Sequence, residues 1–203
     1  MSIVKPPTAI HTIIKQDDAL DIMIPTTKKW LQIVFLSFWL IFWAFGEIAV
    51  LGIFLVNIFR GLSAGFAQVA TARPPALFLF IWLIGWTIGG SFAVYAWSWQ
   101  LAGKEKIFVN HEGFTISRQV FKFSRSKKYV DTHITGLRVS PESFNPFDWS
   151  KGLRFWGVGG GVLAFDYGAK TFRFGNGIDE AEAKQIFNQI QLLFPKYLKE
   201  TEL

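Results

Sequence analysis

Cysteine is absent from the 203 residues, which excludes disulfides, thiolate metal sites and cysteine nucleophiles and is compatible with a reducing compartment. Histidine is almost absent. His11, His111 and His133 show no ligand-like spacing, so neither a metal centre nor a histidine acid–base pair is expected. Charged residues are scarce as well, 18% of the chain where a soluble domain carries about a quarter. Gly159-Gly160-Gly161 lacks the Lys-Ser/Thr ending of a phosphate-binding loop and stands before a strand-like run, which makes it a hairpin turn rather than a nucleotide site. The formal charge of +6 comes without a basic tail or a nucleic-acid motif. Nucleic acid is therefore not an expected partner, and an anionic lipid surface is the simpler one. No catalytic residues, cofactor or metal are expected, and the chain is not read as an enzyme.

What is abundant is apolar surface, 51% of the residues with nine Trp and 22 Phe, and it is concentrated in one half. Between Trp30 and Phe59 Glu47 is the one ionisable residue, and between Pro75 and Leu101 there is no charged residue. Each run exceeds the roughly 20 residues that cross a hydrocarbon core. The pattern predicts a transmembrane helical hairpin over 30–102, with helices at 30–59 and 75–101, after a polar N-terminal segment 1–29. Pro74 and Pro75 sit where a helix start tolerates proline. The first run is about twice the length of a signal-peptide core, so it is expected to be retained. Lys28 and Lys29 flank the first run and Lys104 and Lys106 the second, against Arg60 and Arg73 in the connection. That asymmetry predicts both termini on the cytoplasmic side, where Trp30, Tyr95, Trp97 and Trp99 form an interfacial belt.

Glu47 is the costly residue of the hairpin, since a charged group at the centre of a span costs about 2.5–3.5 kcal/mol on insertion scales. A hairpin folded about its loop sets it level with Trp86 and Thr87, whose N–H and hydroxyl are expected donors. Two readings follow: a hydrogen bond that locks the helices, or a proton, ion or partner-contact site. The octet Trp39-Leu40-Ile41-x-Trp43-x-x-Gly46 recurs as Trp82-Leu83-Ile84-x-Trp86-x-x-Gly89, an inverted pair or a coincidence of a Trp-rich composition. Gly85, Gly89 and Ala93 form a small-residue row, expected to face the first helix or a second copy of the chain.

Beyond Gly103 the period changes to alternation. Ile107 and Val109, Phe114 and Ile116, Phe121 and Phe123, then Ile134, Leu137 and Val139 predict four short strands, and Leu153 to Val158, Val162 to Tyr167 and Lys170 to Phe174 predict three more. Asp179 with Glu182 is a capping-box pattern that opens a helix over 179–194, with Ile186, Phe187, Ile190 and Phe194 as its apolar stripe. The fold class is thus an α+β membrane protein, in which residues 103–203 form a β-barrel or sandwich of about seven strands capped by a C-terminal helix. This layout resembles a pleckstrin-homology-like domain. The run Gly152 to Phe174, closing in Phe-Arg-Phe-Gly before Asp-Glu-Ala-Glu-Ala, together with Trp-Leu-Ile-Phe-Trp-Ala-Phe-Gly-Glu in the first span, is similar to an uncharacterised bacterial family of two-span membrane proteins with such a domain. The resemblance implies a fold and a place in the bacterial inner membrane, but no activity.

Two surfaces of that domain are candidate contact sites. Arg118, Lys122, Arg125, Lys127 and Lys128 are interleaved with Phe121 and Phe123 and read either as a face for anionic lipid headgroups, at about 1 kcal/mol per cation, or as ordinary edge-strand charge. The segment holding Phe144, Phe147 and Trp149 reads as a partner-binding or interfacial loop, or as a lid on the domain. The expected function is a non-catalytic membrane-anchored scaffold, assembly or interaction module. Its expected partners are the bilayer with its anionic headgroups and a membrane protein partner or homo-oligomer. The alternative is a small membrane enzyme or transport accessory using Glu47.

Overall fold

The computed structural model describes residues 2–4, 10–16, 18–64, 76–140, 156 and 160–198. They form two units. Residues 1–28 and 98–203 make a β-rich unit, and residues 29–97 make a helical one.

The helical unit consists of α1 (Trp30–Ala64) and most of α2 (Ala76–Ala102), both long and apolar enough to cross a membrane. α1 continues past its expected end at Phe59 and α2 is shifted by one residue, the latter within the usual variation of helix ends. Phe35, Phe38, Phe42, Phe45 and Ile48 on α1, and Phe78, Ile81, Ile84 and Ile88 on α2, are exposed. A helix that is apolar all round has no face suited to water.

The β-rich unit is built from nine described strands. A six-stranded antiparallel sheet runs in chain order through β1 (Ser2–Val4), β2 (Thr12–Gln16), β3 (Ala19–Pro25), β4 (Gly103–Asn110), β5 (Gly113–Val120) and β6 (Phe123–Val130). A second sheet holds β7 (Ile134–Val139), β8 (Leu163–Tyr167) and β9 (Lys170–Phe174). The sheets do not close into a barrel. Residues ahead of α1, read from sequence as a polar segment, are strands of the main sheet: β3 pairs with β4 over seven residues, from Ala19 opposite Asn110 to Pro25 opposite Lys104. Leu20, Ile22 and Ile24 alternate inward, a period-2 signal in the sequence whose partner strand lies beyond the hairpin. The strand expected around Leu153 to Val158 lies outside the described residues, apart from Trp156.

The core joins both sheets to α3 (Glu180–Leu193). Ile22, Ile107, Phe114, Leu163, Phe165, Phe174, Ile186 and Ile190 are fully buried, and burial of one such side chain contributes about 1.5–3 kcal/mol. Asp179 caps α3 by accepting from Glu182 N at 2.7 Å. The expected box is only half formed. Glu182 Oε1 accepts from Ile10 N at 2.7 Å and lies 3.3 Å from Nδ1 of fully buried His11, so this carboxylate fastens the N-terminal strands to the helix. A 3₁₀ turn (Pro195–Leu198) follows, and Tyr197 packs on Phe114 and donates its hydroxyl to Asn110 O at 2.7 Å. Burial, aided by the Asp131 charge, pushes that phenol up to about 12, so it remains a donor at neutral pH.

Candidate functional site

The β5–β6 hairpin carries the cations singled out above. Its register is complete, from Gly113 opposite Val130 to Val120 opposite Phe123, which leaves Phe121 and Lys122 as a two-residue turn. Phe121 therefore belongs to the turn and not to a core strand, with φ of +50°, a region where a bulky side chain costs roughly 1–2 kcal/mol and Gly or Asn is usual. Phe123 is 83% exposed and Phe121 56%. Neither ring contributes to the core.

The five cations divide into separate environments. Lys127 lies 4.4 Å from the Phe172 ring centroid and 5.1 Å from that of Tyr129. Lys128 pairs with Glu112 at 3.0 Å. Arg118 Nε meets Glu105 Oε1 at 3.4 Å, and its charge partly offsets the rise that burial imposes on the Tyr129 phenol. Arg125 stands directly opposite Arg118 across the ladder, a like-charge pairing that opposes strand association. No anionic partner of Arg125 or Lys122 is found among the described residues.

Register also fixes where this turn lies. Gly103, the residue after α2, pairs with Val120, and Val120 pairs with Phe123. Phe123 is thus two strand spacings, about 10 Å, from the point where α2 enters the sheet. Pro25, which leads towards α1, pairs with Lys104 at the same end. Lys28, Lys104, Lys122 and Arg125 gather there. Asp18, Glu112 and Asp131 flank the opposite end, beside the Ala19–Asn110 and Gly113–Val130 pairs. The acid nearest the basic end, Glu105, is 1% exposed. It was not singled out from sequence, although it interrupts Lys104 and Lys106 on the inward side of β4.

In the helical unit Thr87 Oγ1 donates to Glu47 Oε1 at 2.6 Å, one of the two expected donors. Trp86 does not take the second role. Its Nε1 and Glu47 Oε2 are buried without a hydrogen-bond partner among the described residues. Its carbonyl instead accepts from Trp43 Nε1 at 3.1 Å, and its ring stacks on Trp82 at 4.7 Å. Trp97 Nε1 donates to Ser37 Oγ at 2.9 Å. Of the small-residue row, Gly85 and Gly89 are exposed with open space where a Cβ would stand, which sets aside the first helix as their neighbour and leaves the second-copy reading, whereas Gly90 abuts Trp43. Ala93 is buried. Glu47→Gln preserves an acceptor for Thr87, so hairpin stability measured by SDS unfolding in mixed micelles is expected to change by less than about 1 kcal/mol, within the range of single interhelical hydrogen bonds. A larger loss would show that the carboxyl itself is required.

A groove of about 900 Å³ lies on the three-stranded sheet, lined by Thr135, Gly136, Arg138, Asp166 and Thr171 among others. Its guanidinium is already engaged. Arg138 grips Asp166 through two nitrogens at 2.6 and 3.1 Å, and Thr171 donates to the same carboxylate at 2.6 Å. Arg138 and Thr171 hold the Asp166 carboxyl below its ordinary range, as Lys196 does for Asp131. No group of three or more metal-ligating side chains occurs among the described residues. Phe144, Phe147 and Trp149 lie outside the described residues. No protein-family model matches the chain, and no curated protein or solved structure matches it.

Proposed function

We propose that this chain is a non-catalytic, membrane-anchored interaction module: α1 and α2 span the bilayer, and the β-rich unit turns its basic end towards a negatively charged surface at the membrane. The observation that carries this reading is the cluster of cations at one end of the six-stranded sheet. Lys28, Lys104, Lys122 and Arg125 share the end where β4 follows α2, whereas at the other end the acids Glu112 and Asp131 are paired with Lys128 and Lys196. A two-helix hairpin returns the chain to its starting side, and the β3–β4 pairing requires the residues before α1 and after α2 to share that side. The lysines beside the helices make it the cytoplasmic one by the positive-inside rule, in the bacterial inner membrane that the resemblance implies. Two antiparallel sheets packed with a C-terminal helix support a pleckstrin-homology-like domain, without a closed barrel. The Glu47–Thr87 hydrogen bond serves as a lock between the spans.

The test uses photo-cross-linkers placed at position 124 or 112 of the full chain in native membranes, which leaves Lys122 and Arg125 in place. Position 124 is expected to capture a membrane lipid or protein, and 112 to capture neither. Two cations worth about 1 kcal/mol each together represent about thirtyfold in affinity, so Lys122→Glu with Arg125→Glu should abolish capture. Equal capture at both ends would overturn the proposal, as would labelling of a cysteine introduced at Ser124 by an impermeant reagent in intact cells.

A further inference from the structure

We infer that the surface met by the basic end is the bilayer itself, and that the β5–β6 turn is a lipid wedge in which Phe121 and Phe123 enter the interfacial region while Lys122 and Arg125 engage anionic phospholipid headgroups. The inference rests on the membrane-anchored reading above and names the occupant of the same site. Three observations carry it beyond charge alone. The first is exposure: two phenyl rings, 56% and 83% accessible, stand at the tip of a hairpin where a turn needs only small or polar residues. The second is backbone cost, since Phe121 occupies the left-handed region at φ +50°, and a ring held there at a penalty points to a contact made by the ring.

The third is the unbalanced row Glu105, Arg118, Arg125 across β4, β5 and β6. Glu105 answers one guanidinium and leaves the outer one facing a like charge, an arrangement that a nearby phosphate would complete. Edge protection alone is a competing account of a basic outer strand. Lys127 and Lys128 already serve it on β6, and it gives no reason for two phenyl rings at the turn. An acidic protein partner is the other competitor, but the groove described above belongs to the three-stranded sheet, and an exposed aromatic and cationic tip suits a fluid interface that closes around it. Position agrees, because the tip is two strands from the end of α2.

Cysteine is absent, so a single introduced cysteine reports one site. Ser124→Cys leaves both rings and both cations in place, and Glu112→Cys marks the far end. Each spin-labelled full chain is reconstituted in nanodiscs of phosphatidylcholine, with or without phosphatidylglycerol. The ratio of oxygen to nickel-chelate accessibility at position 124 is expected to exceed that at 112 severalfold in the anionic discs. It should fall towards the value at 112 in neutral discs, in high salt, and in the Phe121→Asn, Phe123→Thr variant, a turn sequence compatible with the hairpin. Equal accessibility at 124 and 112 in both lipids overturns the wedge. If native-membrane cross-linking at 124 then captures an acidic protein, the anchored-module reading stands and only the lipid assignment falls; if 124 and 112 behave alike there too, both fall.

Discussion

Replacing Glu105 by alanine is expected to cost the β-rich unit about 3–5 kcal/mol, the range found when one partner of a buried ion pair is removed. The carboxylate is 1% exposed. Oε2 accepts from Gly175 N at 2.8 Å and Asn176 N at 3.0 Å, and Oε1 meets Arg118. The receiving turn depends on glycine, since Gly175 and Gly177 have φ of +80° and +92° and thereby aim successive amides at one anion. Glu105 thus ties β4, immediately after α2, to the chain between β9 and α3. Alanine would leave two amides unsatisfied and Arg118 facing Arg125 with no acid on its other side. Because a domain is stable by about 5–15 kcal/mol, such a loss is a large part of the whole. Glu105→Gln retains an acceptor and should fall in between, at about 1–3 kcal/mol. Urea unfolding of the full chain in nanodiscs, followed by amide exchange in β4 and β9, reads the effect. A change under 1 kcal/mol for alanine, the size of an exposed ion pair, would show that the clamp does not hold the unit together.

Gly90→Ala is the corresponding test of the helix pair. A methyl group at Gly90 would lie 1.9–2.3 Å from three atoms of the Trp43 ring, and that ring cannot swing aside without giving up its hydrogen bond to Trp86 O. Overpacking of this kind costs about 1–3 kcal/mol, to which the broken interhelical bond adds about 0.6. Gly85→Ala and Gly89→Ala meet nothing within 4 Å. They should be neutral, or better by up to about 1 kcal/mol through helix propensity. SDS unfolding in mixed micelles compares the three. Destabilisation at 85 or 89 with none at 90 would mean that the small-residue row, and not Trp43, marks the helix contact.

The inverted octet shows why the glycine that meets α1 cannot be picked out in the sequence. Its symmetry pairs Gly46 with Trp86 and Gly89 with Trp43. The first relation holds, with a Gly46 Cβ position 3.9 Å from the Trp86 ring, but Trp43 meets Gly90 instead. A helix turns about 100° per residue, so a shift of one position selects a different face, and two adjacent glycines cannot be told apart by spacing alone.

The length and apolarity of α1 and α2, the strands β4, β5 and β7 to β9, the Asp179 cap and the Glu47–Thr87 level were legible from the residues, because helix length, period-2 alternation and capping are local properties of neighbouring side chains. The N-terminal strands showed their own alternation but not their pairing, since β3 finds β4 only after the chain has run through the whole hairpin. Phe121 and Phe123 alternate like core residues and are not, because the core ends before the sheet does. Whether an aromatic is buried, which cation is neutralised and which end of a sheet is basic depend on residues that are distant in the chain and adjacent in space. Those were settled by strand register and by the packing of two sheets on one helix.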